Sequence, residues 1–262
     1  MKNKLTQLSY SSLKAFMKSP AHFLAYKNKE FVESSSMRLG TAVHSALLEP
    51  DKFRAIYDVT DLRKNTKAYK EMVALNPDKI YLNNSDWRSI QEIKRRFKQN
   101  GEASDLLSLC DIREQEVKGV IKGTPFRGFV DAMSRDGNII LDIKTTQDAS
   151  PEGFGKSVYN FAYHLQAAIY KEITGAQQFY IIAIENTSPY NVCIYGLSQD
   201  ALDSGYSVMQ NGIEKFNLWD AQYRFRVLPD VCISPCAESA LIERLTVLSD
   251  TPSSVDRVAL LL

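Results

Sequence analysis

Residues 128–146 read GFVDAMSRDGNIILDIKTT. Two apolar runs flank a short polar turn, and each run carries one aspartate, Asp131 in the first and Asp142 in the second. An Asp-Gly dipeptide at 136–137 predicts a tight hairpin, and a turn centred there places the two aspartates directly opposite each other. Lys144 follows two residues after the second aspartate, on the same face of its strand. The sequence therefore predicts two facing carboxylates with a lysine beside them.

The connection before this hairpin predicts a third carboxylate in the same row. A turn centred on Gly123 and Thr124 pairs Glu116 with Asp131, so three acidic side chains would lie across three adjacent strands. Like charges that face each other destabilise a sheet, which indicates a cation that neutralises them. Carboxylate oxygens suit Mg²⁺, with Mn²⁺ as a substitute, and leave positions for water and phosphate oxygens. With a lysine that can hold water or offset phosphate charge, the row favours phosphodiester hydrolysis.

Each part of this row also has a simpler interpretation. Asp131 alone is compatible with a solvated strand residue, and Asp142 with Lys144 is compatible with an ion pair on an exposed, alternating strand. The predicted register favours the metal site over these alternatives, because it brings the acidic residues together. We therefore expect Asp131, Asp142, Lys144 and Glu116 to be catalytic, and the two aspartates to bind the metal.

The amino-acid composition limits the classes of protein to which the chain can belong. The chain has 262 residues, of which 44% are hydrophobic and 24% are charged, the profile of a soluble globular protein. Its net charge of +1 excludes a strong overall basic excess, so any nucleic-acid site must be a local patch. No apolar run reaches membrane length, and the N-terminus lacks the apolar core of a signal peptide. We expect a cytoplasmic protein without a membrane partner.

The order of predicted elements indicates an α/β architecture. Helical patterns fill most of residues 1–110, and short β-branched and aromatic runs then predict a three-stranded meander. A long helix, two more strands and another helix follow, which together predict a mixed central sheet flanked by helices. We expect a single domain over 1–262, with a catalytic core at about 111–200 and a helical or irregular C-terminal part at about 201–262.

Those residues resemble a known family. GFVDAM followed by DIKTT resembles the D…(D/E)-x-K signature of the PD-(D/E)xK nuclease superfamily, which implies a restriction-endonuclease-like core. LGTAVHSALLEP, residues 39–50, is similar to the helix that carries an early histidine in the branch of RecB nuclease domains, lambda-type exonucleases and RecE-type exonuclease VIII. The resemblance implies that His44 joins Asp131 and Asp142 at the metal. For an isolated histidine, packing on an amphipathic helix is the alternative.

YHLQAAIY, residues 163–170, resembles the Q-x3-Y motif on the helix that follows the catalytic strand in this branch. Gln166 and Tyr170 are four residues apart and so share one helical face, with Tyr163 one turn earlier. The resemblance implies that Gln166 orients the lysine or a substrate phosphate and that both tyrosines contact the substrate. Core packing is the alternative for the tyrosines.

LSYSSLKAFMKSPAHFLAYK, residues 8–27, is similar to the helical opening of RecB-type and RecE-type nuclease domains. Some relatives carry an iron–sulfur cysteine in this region, where this chain has Ser19, so no cluster is expected. The resemblance covers about residues 8–200 and is nearest to RecE-like exonucleases of phages and prophages. It implies a Mg²⁺-dependent hydrolase that degrades linear double-stranded DNA from its ends, 5′ to 3′, in DNA recombination. A ring-shaped trimer or tetramer and a single-strand annealing protein as partner are implied as well.

Two alternative functions remain open. One is a nuclease of the RecB or CRISPR-adaptation type without an iron–sulfur cluster, and the other is a DNA-binding protein with an inactive nuclease fold. For DNA binding, two basic clusters are the candidates. A solvated helix face is the alternative for both, and it is favoured for the second. The first cluster comprises Arg63, Lys64, Lys67 and Lys70, and the second comprises Lys94, Arg95, Arg96 and Lys98.

Overall fold

The computed structural model describes residues 7–28 and 35–227 of the chain. Its helices are α1 (Tyr10–Lys18), α2 (Pro20–Asn28), α3 (Ser35–Leu48), α4 (Pro50–Ile56), α5 (Lys67–Leu75), α6 (Asn84–Gln99), α7 (Gly101–Leu109), α8 (Pro151–Asn160), α9 (Tyr163–Thr174) and α10 (Gln199–Val227). Its strands are β1 (Tyr57–Val59), β2 (Ile80–Leu82), β3 (Ile112–Ile121), β4 (Thr124–Met133), β5 (Ile139–Thr146), β6 (Gln178–Glu185) and β7 (Val192–Gly196). No helix among these combines the length and the apolarity that crossing a bilayer requires.

A five-stranded sheet forms the centre of the fold, in the order β3-β4-β5-β6-β7. Strands β5 and β6 are parallel, and the other neighbouring pairs are antiparallel, so the sheet is mixed. The connection between the parallel strands contains α8 and α9, as a parallel crossover requires. The small pair β1-β2 is separate from this sheet. The predicted fold class, a mixed central sheet flanked by helices, is confirmed.

Strand β5 is buried on both faces, which explains its apolar sequence. Leu141 and Ile143 belong to the core that α3, α4, α6 and α7 form on one face of the sheet. Asp142, which lies between them and points the other way, contacts Gln166 of α9. The alternation of the strand therefore places the Asp142 carboxylate under α9, where it is almost fully buried.

The register of the β4–β5 hairpin agrees with the prediction. Ala132 pairs with Leu141 and Met133 pairs with Ile140, as a turn centred on the Asp-Gly dipeptide requires. The regular pairing ends there, one position before the two aspartates. Beyond that point the Asp131 carboxylate, and not a backbone carbonyl, accepts the N–H of Ile143 at 2.6 Å. The two strands thus diverge where the acidic side chains begin.

The register predicted for the β3–β4 hairpin is wrong. Its central residues are Lys122 and Gly123, with φ of +47° and +76°, and not Gly123 and Thr124. A turn with positive φ at both central positions is favoured in tight hairpins, and a β-branched threonine is disfavoured there. Glu116 consequently pairs with Phe129, and it does not face Asp131.

The corner between α8 and α9 brings the second helix back across the sheet. Ser150 caps α8 through its hydroxyl, and Pro151 occupies the first helical position. Ala162 precedes α9 with φ of +58°, in the left-handed region that a non-glycine residue seldom adopts. Gly175 ends the same helix with φ of +78°.

The residues up to Phe216 form one compact unit, and those from Asn217 belong to a second. The structure describes the second unit only over 217–227, the end of α10. The rest of the predicted C-terminal part, 228–262, lies outside the described residues. The single domain expected over 1–262 stays a prediction.

Candidate metal centre

Three potential metal ligands from three different elements converge at the edge of the sheet. His44 of α3, Glu114 of β3 and Asp131 of β4 each offer one ligand atom, and these atoms lie within 4.8 Å of one another. His44 Nδ1 is 3.4 Å from Asp131 Oδ2. The three residues line a cleft of about 750 Å³ together with Lys144 and Tyr163. His44 and Asp131 were predicted from the sequence, and Glu114 was missed.

Glu114 occupies the position that the incorrect register gave to Glu116. Two residues along a strand return to the same face, so either glutamate satisfies the alternation of the sequence. The turn at Lys122 and Gly123 decides between them, because it brings Glu114 level with Asp131. Glu114 also has a φ of +47°, a conformation that costs a non-glycine residue about 1–3 kcal/mol and often accompanies function.

Asp142 and its partners form the floor beside these ligands. The carboxylate is almost fully buried, with 2% of the residue exposed. Its Oδ1 accepts a hydrogen bond of 2.8 Å from Nε2 of Gln166. Its Oδ2 lies 2.6 Å from Nζ of Lys144, which makes the two groups a close ion pair.

The two predicted tyrosines have different surroundings. The ring of Tyr163 lies 5.1 Å from Nζ of Lys144 and lines the cleft. Tyr170 is 6% exposed and packs over Gly128, where an added Cβ would lie 2.5 Å from the ring. Tyr163 is thus placed where a ligand in the cleft would meet it, whereas Tyr170 contacts the sheet. The predicted role of both residues in substrate binding stays a prediction.

Glu116 lies apart from the converging residues. Its carboxylate is 2.7 Å from Nζ of Lys118 and 3.4 Å from Nε of Arg127, in an exposed cluster of charges. The structure therefore does not bring it together with Asp131, and the register that motivated its selection is wrong.

Burial and pairing compete at the charged groups of the cleft. Burial raises the pKa of Asp142, and the ammonium of Lys144 offsets this in part. At Asp131 burial is outweighed by His44 and Lys144, so its pKa is lowered. Burial alone would lower the pKa of Lys144, but the Asp142 carboxylate outweighs this effect and raises it. In the same way, Asp131 outweighs burial at His44 and raises the pKa of the imidazole. Burial, and then Asp131, raise the pKa of Glu114. The three carboxylates of Glu114, Asp131 and Asp142 thus outnumber the two cationic partners, Lys144 and His44.

The donor set fits a divalent cation. Two carboxylates and an imidazole lie within reach of one ion at His44, Glu114 and Asp131. Asp142 adds a buried carboxylate beside them, with one oxygen paired with the Lys144 ammonium. Carboxylate oxygens suit Mg²⁺ and Mn²⁺, and a cation would relieve the repulsion among these acids.

The two basic clusters predicted for DNA binding have different surroundings. Arg63 and Lys64 of the first line a pocket of about 520 Å³ on the β1–β2 side of the molecule. In the second, Arg95 and Arg96 both pair with Glu92 on the same helix. One carboxylate thus offsets part of the charge of the second cluster, and Lys67 of the first cluster forms a comparable pair with Glu71.

Comparison with protein families gives one match, over residues 9–228. The matching family is described as a PDDEXK-like domain of unknown function (DUF3799). Among curated proteins, none matches the sequence of this chain significantly.

Solved structures with a similar fold include three proteins described as exonucleases. A candidate exonuclease from Eubacterium rectale has a TM-score of 0.58 at 17% identity, over 82% of this chain and 81% of that one. A phage-related exonuclease from Haemophilus somnus 129PT has a TM-score of 0.37 at 12% identity, over 83% and 96% of the two chains. An alkaline exonuclease from Laribacter hongkongensis has a TM-score of 0.33 at 9% identity, over 88% and 97%. The first likeness shows the fold alone, and the other two are too distant to carry an argument.

Proposed function

The chain belongs to the PDDEXK-like family designated DUF3799, and we propose that it is a metal-dependent deoxyribonuclease. In this proposal it hydrolyses phosphodiester bonds. The observation that carries it is the convergence of His44, Glu114 and Asp131 beside the buried pair of Asp142 and Lys144 in one cleft. A stability role alone does not account for this arrangement, because buried charges that are incompletely paired cost free energy.

In this proposal His44, Glu114, Asp131 and Asp142 would hold the divalent cation. When bound, the cation would polarise a phosphoryl oxygen and offset the charge that develops on it. The hydrogen bond from Gln166 fixes the orientation of the Asp142 carboxylate, so that its second oxygen stays directed toward Lys144. Gln166 is therefore assigned a positioning role, and it does not contact the reacting atoms.

The proposed role of Lys144 is to contact the phosphate and the attacking water. A protonated ammonium has three donors and no lone pair, so it cannot ligate a metal but can donate hydrogen bonds to oxygens. Its Nζ lies between the Asp142 carboxylate and the ring of Tyr163, which limits the directions in which it can move. The lysine would thus hold a water or a phosphate oxygen beside the carboxylates.

The finer assignments come from the resemblance to RecE-type enzymes. We propose that the substrate is the end of linear double-stranded DNA and that degradation runs 5′ to 3′. A ring-shaped oligomer, a single-strand annealing partner, a role in phage-type recombination and a cytoplasmic location belong to the same proposal. The description of the Eubacterium rectale structure as a candidate exonuclease supports cleavage from ends.

Digestion of labelled DNA tests this function. Linear duplex, nicked circles and closed circles would be incubated with the full chain in Mg²⁺, in Mn²⁺ and in EDTA. We expect loss of linear duplex with either cation, no loss in EDTA, and intact closed circles. Equal hydrolysis in EDTA would contradict the metal site. Cleavage of closed circles would overturn cleavage from ends and leave the nuclease assignment in place.

A further inference from the structure

The N-terminal region of the chain is strongly basic although the whole chain is not. Residues 1–29 contain six lysines and no aspartate or glutamate. Because the whole chain has a net charge of +1, the remaining residues together carry −5. The positive charge is thus concentrated in the segment that includes α1 and α2, which is typical of a surface that binds an anion.

A groove of about 680 Å³ lies along these two helices. We call it the N-terminal groove, lined by Tyr10, Ser11, Lys14, Ala15, Lys18, His22, Ala25, Tyr26 and Asn28. Lys14 and Lys18 are one helical turn apart, and like charges at that spacing destabilise a helix. In the part of the chain that the structure describes, neither lysine forms an ion pair with a carboxylate. An anionic ligand in the groove would relieve this repulsion.

An aromatic series connects the groove to the metal cleft. The hydroxyl of Tyr10 and the ammonium of Lys14 both donate to the backbone carbonyl of Phe161, the latter at 2.8 Å. The Phe161 ring lies 5.5 Å from Nζ of Lys14 and 5.7 Å from the ring of Tyr163. Tyr163 in turn lies beside Lys144 in the cleft. A ligand bound in the groove can therefore extend to the proposed reaction site along this series.

Phe161 presents its ring to solvent at this junction. The residue is 51% exposed, and it directly precedes the left-handed corner at Ala162. An exposed phenyl ring with a lysine above it combines a stacking surface with a phosphate contact. Surfaces that bind single-stranded nucleic acid are built from these two components, because an unpaired base can stack and its phosphate attracts the cation.

We propose that the N-terminal groove binds an unpaired strand of the nucleic acid, with a base stacked on Phe161 and phosphates beside Lys14 and Lys18. This inference rests on the proposed nuclease function and deepens it, since it specifies how the strand reaches the cleft. A base in an intact duplex has both faces covered by its neighbours, so this surface selects a strand that is already unpaired.

The test measures binding by the full chain in EDTA, so that hydrolysis does not compete. Fluorescence anisotropy would follow a labelled thymine strand of about 12 nucleotides, within the site size of known single-strand surfaces. A strand of the same length with abasic sites keeps the phosphates and removes the bases, and a blunt duplex removes the unpaired faces. The variants are Phe161→Leu and Lys18→Gln.

Two matched controls come from elsewhere in the chain. Phe129→Leu alters a phenylalanine that is 48% exposed and has Arg127 at 5.7 Å from its ring, whereas the Phe161 ring lies against Lys14 and Tyr163. Lys118→Gln alters a lysine of β3 that is 61% exposed and that belongs to neither basic cluster. Circular dichroism would establish that each variant is folded.

We expect Phe161→Leu to weaken binding of the thymine strand by about 5- to 100-fold and to leave the abasic strand unchanged. Lys18→Gln should reduce the slope of log affinity against log salt by about 0.7 for both strands. Neither control should change affinity. Wild-type affinity in Phe161→Leu, or equal losses for both strands, would overturn the stacking site. If that variant does not fold, equal binding of thymine and abasic strands by the wild type would overturn it.

The outcomes separate this inference from the nuclease proposal. A chain that hydrolyses nothing in Mg²⁺ but prefers the thymine strand through Phe161 would leave the groove in place and remove the nuclease. If the wild type hydrolyses linear DNA but Phe161→Leu binds the thymine strand normally, the nuclease proposal would stand and the groove proposal would fall.

Discussion

The sheet contains the same three-residue pattern twice, an acidic residue followed two positions later by lysine. EVK occupies 116–118 on β3, and DIK occupies 142–144 on β5. In both, the ammonium contacts the carboxylate at nearly the same distance, 2.7 Å on β3 and 2.6 Å on β5. Sequence pattern and pair geometry therefore do not distinguish them.

Burial distinguishes the two pairs. The side chains of Lys118 and Glu116 are 61% and 31% exposed, whereas those of Lys144 and Asp142 are 20% and 3% exposed. An exposed pair contributes about 0–1 kcal/mol, because water solvates the charges equally well. A buried pair has lost that solvation at a cost of several kcal/mol, so its persistence indicates a use for the charges. Of these two pairs, only the one that other elements cover lies in the proposed site.

The largest expected difference between the pairs is in catalysis. Asp142→Asn keeps the size of the side chain and an oxygen for Gln166, and removes the charge. We expect hydrolysis of linear duplex in Mg²⁺ to fall by about 10²–10³-fold or more, as when one preorganised electrostatic contact is lost. Glu116→Gln, the matched change on β3, should stay within about twofold, as for an ordinary surface substitution. Equal losses of activity in both variants would contradict a difference in function between the two pairs.

Stability gives the second difference. Lys144→Met leaves the Asp142 carboxylate buried without its cation, which typically costs about 3–5 kcal/mol. We expect the lower end of that range, since burial already raises the pKa of Asp142 and the group can take up a proton. Lys118→Met should cost less than about 1 kcal/mol. Urea denaturation in EDTA measures both free energies of unfolding, and similar values for the two variants would contradict the comparison.

The smallest expected difference between the two pairs is in how salt affects their contribution to stability. Raising NaCl from about 0.1 M to about 1 M shortens the screening length from about 10 Å to about 3 Å. The small cost of Lys118→Met should then vanish, whereas the cost of Lys144→Met should persist because its surroundings exclude ions. Repeating the urea denaturation at the two salt concentrations checks this. If the loss in free energy of unfolding caused by Lys144→Met disappears in high salt, the pair of Asp142 and Lys144 would be accessible to solvent.

The sequence predicted one hairpin register correctly because its turn chemistry is specific. The Asp-Gly dipeptide at 136–137 fixed the centre of the β4–β5 turn, and the relation of Asp131 to Asp142 followed. The other turn contains Lys122 at φ +47°, which a non-glycine residue rarely adopts and no sequence rule favours. A shift of two residues preserves the faces of a strand, so alternation could not separate Glu114 from Glu116.

Burial was beyond the reach of local sequence patterns. Asp142 is buried because α9 crosses over it and because α3 and its neighbours fill the opposite face of β5. These helices are distant in the sequence, and nothing within residues 142–144 distinguishes them from 116–118. His44 was found only through the resemblance, for the same reason. Its partner Asp131 lies on another element, and the contact depends on how α3 packs against the sheet.

Binding of Mn²⁺ tests whether His44, Glu114 and Asp131 form a cation site. Isothermal titration of the wild type, Glu114→Gln and Glu116→Gln compares a proposed ligand with a glutamate two residues away on the same strand. We expect the affinity for Mn²⁺ to fall by at least about tenfold in Glu114→Gln, the smallest loss typical even of residues that only support a ligand. In Glu116→Gln it should match the wild type. Unchanged affinity in Glu114→Gln, or a loss confined to Glu116→Gln, would contradict the site.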